Sequence, residues 1–272
     1  MKDILLVILA LSISLTSSKN IKGFGYFLYG GDMDDVDLKA LSKQGTTDIF
    51  LNYLAFRTHG ESDILTFIKK ANDLNIRIHA WMQVFYTGIW INPDELDTNS
   101  IVQEAKKYAS IQGISGILFD YLRYPGNAYQ YRDGAEKINL FIKVAVASIH
   151  SINPKIIVSA SLVPETTRTE YLYGQNYEFF STYFDVVIPM IFKGNYKKNS
   201  SWIQITTEWF VQNSKGASVW AGIQSYRNDN DYTPLSQSAL TIDIKSALNG
   251  KPDGVILFRY GVSELLDFQS LE

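Results

Sequence analysis

Asp120 and Glu165 are the two carboxylates whose surroundings in the chain point to chemistry. Asp120 ends the apolar run Gly116-Ile117-Leu118-Phe119, and Glu165 follows Ile156 to Val163 and Pro164. A carboxylate at the end of a buried run is costly unless it is paired or used. Arg123 and Arg259 are the cations that could pair with it as a plain salt bridge. If the two runs are adjacent strands, about 4.8 Å apart, their carboxyls can rise within ~5–6 Å of each other. That range suits a retaining glycosidase, with Asp120 as nucleophile and Glu165 as general acid/base. The alternative for Glu165 is an exposed loop residue beside Thr166, Thr167 and Arg168.

Other acidic residues fit less well. Asp185 begins its run and so belongs to the opposite end. Glu95 and Asp97 lie in a loop that can reach the same place, and they are the reserve candidates for the acid. Asp32, Asp34 and Asp35 form an acidic turn without calcium-ligand spacing, which reads as a solvated turn. Ser159 and Ser161 lack the G-x-S-x-G elbow of a serine hydrolase. His79 sits mid-run and reads as a packed core residue.

The elements that position these residues repeat. Eight short β-branched or aromatic runs occur, at 23–30, 48–56, 77–85, 116–124, 156–163, 184–192, 218–226 and 254–261. Amphipathic stretches lie between them. Ile64, Leu65, Ile68, Ala71 and Leu74 share a helical face, as do Ile101, Val102, Ala105, Tyr108 and Ala109. Ile138, Phe141, Ile142, Ala145 and Ile149 form a third stripe, opened by an Asp133/Glu136 capping box. Leu240, Ile244, Ala247 and Leu248 mark a late helix that stops at Asn249-Gly250. The gap at 165–183 has weaker periodicity and is expected to be mostly loop.

Alternating strand and helix requires a parallel sheet. Eight units in about 250 residues predict an α/β fold, a single closed (β/α)8 TIM barrel over 19–272. An open doubly wound sheet would want G-x-G-x-x-G after the first strand, where Tyr29-Gly30-Gly31-Asp32 stands.

In such a barrel the site is built at the carboxyl ends of the strands. Tyr26, Asn52, Trp81, Gln83, Arg123, Tyr124, Gln224, Tyr226 and Arg259 are the expected substrate-binding residues there. Period-two alternation turns Ile78, Ala80, Met82 and Val84 toward the helices. It turns His79, Trp81 and Gln83 into the barrel, with Asp120, Ser159, Ser161, Glu165, Trp220, Gly222, Gln224 and Tyr226. Tyr26, Tyr29, Trp81, Trp90, Tyr121 and Tyr226 offer flat faces for sugar rings, or else simply pack the core.

Composition narrows the classes. The 272 residues are 46% apolar and 19% charged with a net charge of -3, which excludes disorder and a polybasic nucleic-acid binder. No cysteine is present, so disulfide scaffolds, thiolate metal sites and cysteine nucleophiles are out. A three-histidine zinc site would need all three histidines, His59, His79 and His150. No metal or organic cofactor is expected. Lys2, the apolar run Ile4 to Leu11 and the small residues Thr16, Ser17 and Ser18 predict a signal peptide or N-terminal anchor over 1–18. The protein is therefore expected to be secreted or extracytoplasmic, with no other membrane span. Asn199-Ser200-Ser201 is a glycosylation sequon, meaningful only in a host that glycosylates exported proteins.

Phe119-Asp120-Tyr121-Leu122-Arg123-Tyr124-Pro125 resembles the F-D-Y-[IL]-R-[YF]-P signature of a family of glycoside-hydrolase-like barrels. Tyr183-Phe184-Asp185-Val186-Val187-Ile188-Pro189-Met190 is similar to that family's sixth strand. The resemblance implies a barrel acting on polysaccharide, with Asp120 as the carboxylate of the fourth strand. The chitinase pattern D-x-x-D-x-D-x-E is similar in placement but its glutamate is missing here, which weighs against substrate-assisted chemistry. Glu165 is not part of the resemblance and rests on its place after the fifth run alone.

Two rivals remain beside a glycosidase. One is a non-catalytic, lectin-like barrel that keeps the cleft. The other is a lyase or aldolase, but no lysine lies inside any of the eight runs.

Overall fold

The computed structural model describes residues 20–93 and 97–271. The leader expected over 1–18 and the reserve acid Glu95 lie outside the described residues.

Seven strands appear first: β1 (Gly23–Leu28), β2 (Asp48–Asn52), β3 (Arg77–Gln83), β4 (Gly116–Asp120), β5 (Ile157–Leu162), β6 (Val186–Pro189) and β7 (Ser218–Gln224). A hairpin follows, β8 (Tyr226–Asn228) with β9 (Asp231–Pro234), and then β10 (Gly254–Phe258). All except the hairpin pair in parallel and close a barrel in the order β1-β10-β7-β6-β5-β4-β3-β2. This is the single (β/α)8 barrel that the alternation predicts.

The helices are α1 (Leu38–Lys43), α2 (Tyr53–Thr58), α3 (Glu61–Asp73), α4 (Thr98–Ala109), α5 (Gly134–Ile152), α6 (Thr169–Tyr173), α7 (Tyr177–Tyr183), α8 (Ser200–Asn213) and α9 (Gln237–Asn249). In α5 the stripe Ile138, Phe141, Ile142, Ala145 and Ile149 is buried against the sheet. Full burial of each large apolar side chain there stabilises by about 1.5–3 kcal/mol. Among the described residues no helix is long and apolar enough to cross a membrane.

Four local expectations need correction. The run at 48–56 stops being a strand at Asn52, whose side chain accepts from Leu54 N–H and starts α2. The gap at 165–183 is not mostly loop, since it folds into α6 and α7, separated by Gly174 in the left-handed region. Asp133 occupies the N-cap of α5 but makes no side-chain cap bond, so the capping box is absent. The run at 218–226 leaves the barrel after Gln224, and Tyr226 begins the β8–β9 hairpin instead of ending β7.

Two separate apolar layers hold the fold. Ile78, Ala80, Met82, Val84, Ile117 and Phe119 join the layer between sheet and helices. Phe27, Phe50, Trp81, Leu118, Val186, Ile188, Trp220 and Ile256 fill the barrel itself. At its amino-terminal end lies a buried polar group. Asp48 accepts from His79 Nε2 at 2.7 Å and from Arg77 Nη2 at 2.7 Å, and His79 packs on the Phe50 ring. Asp48 is held below the usual carboxylate range: burial pushes it up, but the bonds and charges of His79 and Arg77 outweigh that. His79 is thus the core residue its mid-strand position suggests. A Cβ at Gly116 would overlap its ring, so glycine is required there.

Candidate active site

Asp120 is the last residue of β4, paired in register with Gln83 of β3. Its inward parity brings it to the carboxyl end of the barrel. Oδ2 accepts from Trp81 Nε1 at 2.9 Å and Oδ1 from its neighbour's backbone, Tyr121 N–H, at 2.8 Å. Tyr121 reaches that geometry with a left-handed φ of 54°, uncommon for a residue with a Cβ. Removal from water raises the Asp120 pKa. The Trp81 and Tyr121 donors and the nearby positive charge of Arg123 offset this only in part.

The salt-bridge alternative for Asp120 does not hold. Arg259 pairs instead with Asp32, at 3.3 Å, and lies 4.3 Å over the Tyr29 ring. Arg123 sits among rings, 4.5 Å over Trp90, 5.4 Å over Tyr173 and 6.0 Å over Tyr121. Among the described residues its one hydrogen bond goes to Tyr124 O, at 3.1 Å.

A cavity of about 230 Å³ opens above Asp120. Trp81 and Gln83 line it from β3, Tyr121 and Arg123 from the loop after β4, and Ser161 from β5. Tyr29, Met190, Phe192, Tyr196 and Phe258 add apolar and aromatic faces. Tyr29 stacks on Trp81 at 5.5 Å and 19°. A groove between α4 and α5, lined by Phe85, Val102, Leu140 and Phe141, lies off the barrel mouth, and among the described residues Lys137 is its one ionisable lining residue.

One wall escaped the reading of the sequence. Asp229, in the β8–β9 turn, lines the same cavity. Its carboxylate accepts from Asn195 Nδ2 at 2.8 Å, Tyr226 Oη at 2.9 Å and Gln224 Nε2 at 3.3 Å. Its N–H donates to Asn195 Oδ1 at 2.9 Å. Gly194 lies so close to Arg227 O that a Cβ would overlap it, which locks the loop after β6 onto the hairpin. The only signal in the sequence is Asn228-Asp229-Asn230-Asp231 between two tyrosines, a hairpin turn.

The expected site residues divide accordingly. Asp120, Trp81, Gln83 and Arg123 come together at the cavity. Gln224 and Tyr226 stand behind it and hold Asp229. Arg259 reaches the rim through Tyr29, as described. Tyr26 is a correction: it is 2% exposed, packs outside the barrel on Phe268 and Tyr260, and its hydroxyl accepts from Leu266 N–H. Both faces of β1 are apolar, so the residue types do not reveal which way Tyr26 points. Tyr124 is another correction, buried against Tyr131 in the layer under the helices. Asn52 caps α2 and Asp97 caps α4, so both side chains are occupied by helix N–H groups.

Glu165 lies past the end of β5. Oε1 accepts from Tyr173 Oη at 2.9 Å, and Oε2 is buried without a hydrogen-bond partner. Tyr196, which lines the cavity, has its phenol pushed up by burial and by the Glu165 charge. Glu165 itself is not among the cavity-lining residues. Asp185 precedes β6 and accepts from Val158 N–H, at the amino-terminal end as expected. The acidic turn is spoken for: Asp34 pairs with His59 at 3.2 Å and Asp32 with Arg259. Among the described residues no cluster of three His, Cys, Asp or Glu could hold a metal ion.

Several solved structures share the fold. The glycoside hydrolase domain of PgaB (BpsB) from Bordetella bronchiseptica superimposes with a TM-score of 0.67 at 9% identity, over 88% of this chain and 94% of that one. A class V chitinase from Pseudomonas fluorescens Pf-5 gives 0.68 at 12% identity, over 92% and 98%. The endo-1,4-beta-D-mannanase of Thermotoga petrophila RKU-1 gives 0.63 at 13% identity, over 88% of each chain. At these identities the likeness is one of fold. No curated protein matches the sequence. A family model does match, over residues 65–210, which include both Phe119 to Pro125 and Tyr183 to Met190. The match spans more than half of the chain, and the protein therefore belongs to the family described as "Putative glycosyl hydrolase domain".

Proposed function

We propose that this chain is an exported O-glycoside hydrolase that cleaves a polysaccharide or cell-wall glycan with two carboxylates, Asp120 and Glu165. The observation that carries the reading is Asp120 itself. It sits at the base of an aromatic-lined cavity at the catalytic end of a barrel, with its neutral form favoured by burial. Family membership supports the reaction class. Export rests on the Lys2 to Ser18 pattern, and the reaction needs no cofactor.

Burial of Asp120 favours the opposite assignment of roles from the one that spacing suggests. A carboxyl whose pKa is raised can protonate a leaving-group oxygen, so Asp120 is the proton donor. The base or nucleophile is then Glu165, past the end of β5, which receives a phenolic O–H from Tyr173. Tyr29, the exposed member of its stack with the buried Trp81, offers an aromatic surface to the sugar beside the scissile bond.

A lectin-like barrel is the second reading, favoured by the position of Glu165 outside the cavity lining. Hydrolysis of a glycan panel by the wild-type chain, Asp120→Asn and Glu165→Gln decides between them. Loss of about 10²–10⁴-fold in each variant supports the two-carboxylate reaction. Binding of glycans without hydrolysis by the wild-type chain leaves the lectin. Full activity in Asp120→Asn removes Asp120 from the mechanism.

A further inference from the structure

We infer that the cavity takes a sugar bearing a carboxylate, a uronic acid, and that Arg123 is the residue that recognises it. The inference rests on the hydrolase reading and names the class of its substrate.

Arg123 lines the cavity on the Asp120 side and is half-buried. Guanidinium carries five N–H donors and is always charged. One donor is used here, on Tyr124 O. Among the described residues no carboxylate forms an ion pair with Arg123, whereas Arg57, Arg77, Arg227 and Arg259 each have one. A half-buried cation normally meets an anion. Rings surround this one instead. Trp90 lies 4.5 Å away and Tyr173 5.4 Å away, and Trp90 is braced in turn by Tyr121 at 5.5 Å. Stacking leaves the guanidinium edge, not its faces, available to a ligand. That edge is a rigid fork matched to a carboxylate.

Two acids share the cavity and would repel an anion, but neither cancels this feature. Asp229 already accepts from Asn195, Tyr226 and Gln224, and it stands after β7, three strand positions round the ring from β4. Asp120 is held by Trp81 and Tyr121. Asp229 therefore lies across the mouth from Arg123, and Asp120 stands on the Arg123 side with both its oxygens already bonded. The acidic ring belongs beside Arg123.

The test is equilibrium binding by the full chain carrying Asp120→Asn, so that bound glycan is not turned over. Polygalacturonate and hyaluronan are compared with the same polymers after carboxyl reduction, beside chondroitin sulfate and a panel of neutral glycans. Uronate polymers are expected to bind about tenfold or more tightly than their reduced forms, the worth of a charge-assisted hydrogen bond. Arg123→Gln should abolish that preference, and Arg123→Lys should keep part of it, each checked for folding by thermal melt. Added salt should weaken uronate binding in the parent more than in Arg123→Gln. Equal binding of reduced polymers, a preference that survives Arg123→Gln, or selection of sulfate over uronate overturns the inference and leaves the hydrolase reading standing. Failure of both acidic and neutral glycans to bind, with no hydrolysis by the wild-type chain, overturns that reading instead.

Discussion

Trp81 Nε1 donates to Asp120 Oδ2 at 2.9 Å, tying the inward side chain of β3 to the terminal residue of β4. The indole makes two contributions. Its ring packs in the barrel interior beside Phe27, 4.9 Å away, and its N–H stabilises the charged form of the carboxyl. Trp81→Phe separates the two. The ring survives, the donor is lost, and the Asp120 pKa rises further. If Asp120 donates the proton, the basic limb of the kcat/KM profile moves to higher pH. An unmoved limb, measured with a glycan that the wild type hydrolyses, would reduce Trp81 to packing.

The same carboxyl makes stability depend on pH. Its pKa in the fold lies above its value in the unfolded chain, so the stabilisation from its neutral form is complete at acid pH and is lost as pH rises through the folded value. Asp120→Asn is neutral at every pH. The variant should melt higher than the wild type at pH 7, with the difference vanishing below about pH 3, under the ordinary carboxylate value. A variant that melts lower at pH 7 contradicts the burial argument.

Asp48 carries the opposite sign. His79 and Arg77 hold its pKa below the usual range, so its contribution is present above the unfolded carboxylate value and lost as pH falls through the folded one. Asp48→Asn leaves a buried histidine and a nearby arginine without their anion. Breaking such a pair costs about 3–5 kcal/mol. Urea unfolding at pH 7 measures it, and a loss under about 1 kcal/mol would show that the group is not held as described.

Asp229 is a positioning residue in the loop wall. Asp229→Ala removes the acceptor shared by Asn195, Tyr226 and Gln224. The hairpin should loosen while the barrel keeps its stability, and KM should rise more than kcat falls. Asp229→Asn, which keeps one acceptor oxygen, should restore part of the loss. A selective loss of kcat would instead place Asp229 in the chemistry.

Gly116→Ala probes the interior packing. The new methyl meets the His79 ring, which Asp48 holds in place. Overpacking a filled interior costs about 1–3 kcal/mol or more. A thermal melt close to wild type would mean that His79 can move aside.

Much of this was legible where one strand face differs in type from the other. On β3 and just past it, Ile78, Ala80, Met82 and Val84 are aliphatic while His79, Trp81 and Gln83 are not, so period two alone assigns both faces correctly. Asp120 followed from the same parity one strand on. On β1 the rule has nothing to work with, because Tyr26 and Phe27 are both aromatic, and Tyr26 proved to face the helices. Asn52 and Asp97 carry the groups a site would use, but those groups satisfy helix N–H donors, a local demand that competes with function at every strand end. Asp229 was out of reach because its importance comes from Asn195, brought to it by the loop after a different strand.

Phe27, Phe50 and Trp220 pack the centre of the barrel, and the salt-linked group at Asp48 stands below them. The axis is therefore a blind well, not a tunnel. A long glycan cannot be threaded past Asp120. It has to lie across the opening like a rope over a well-head, and both fragments depart by the way they arrived.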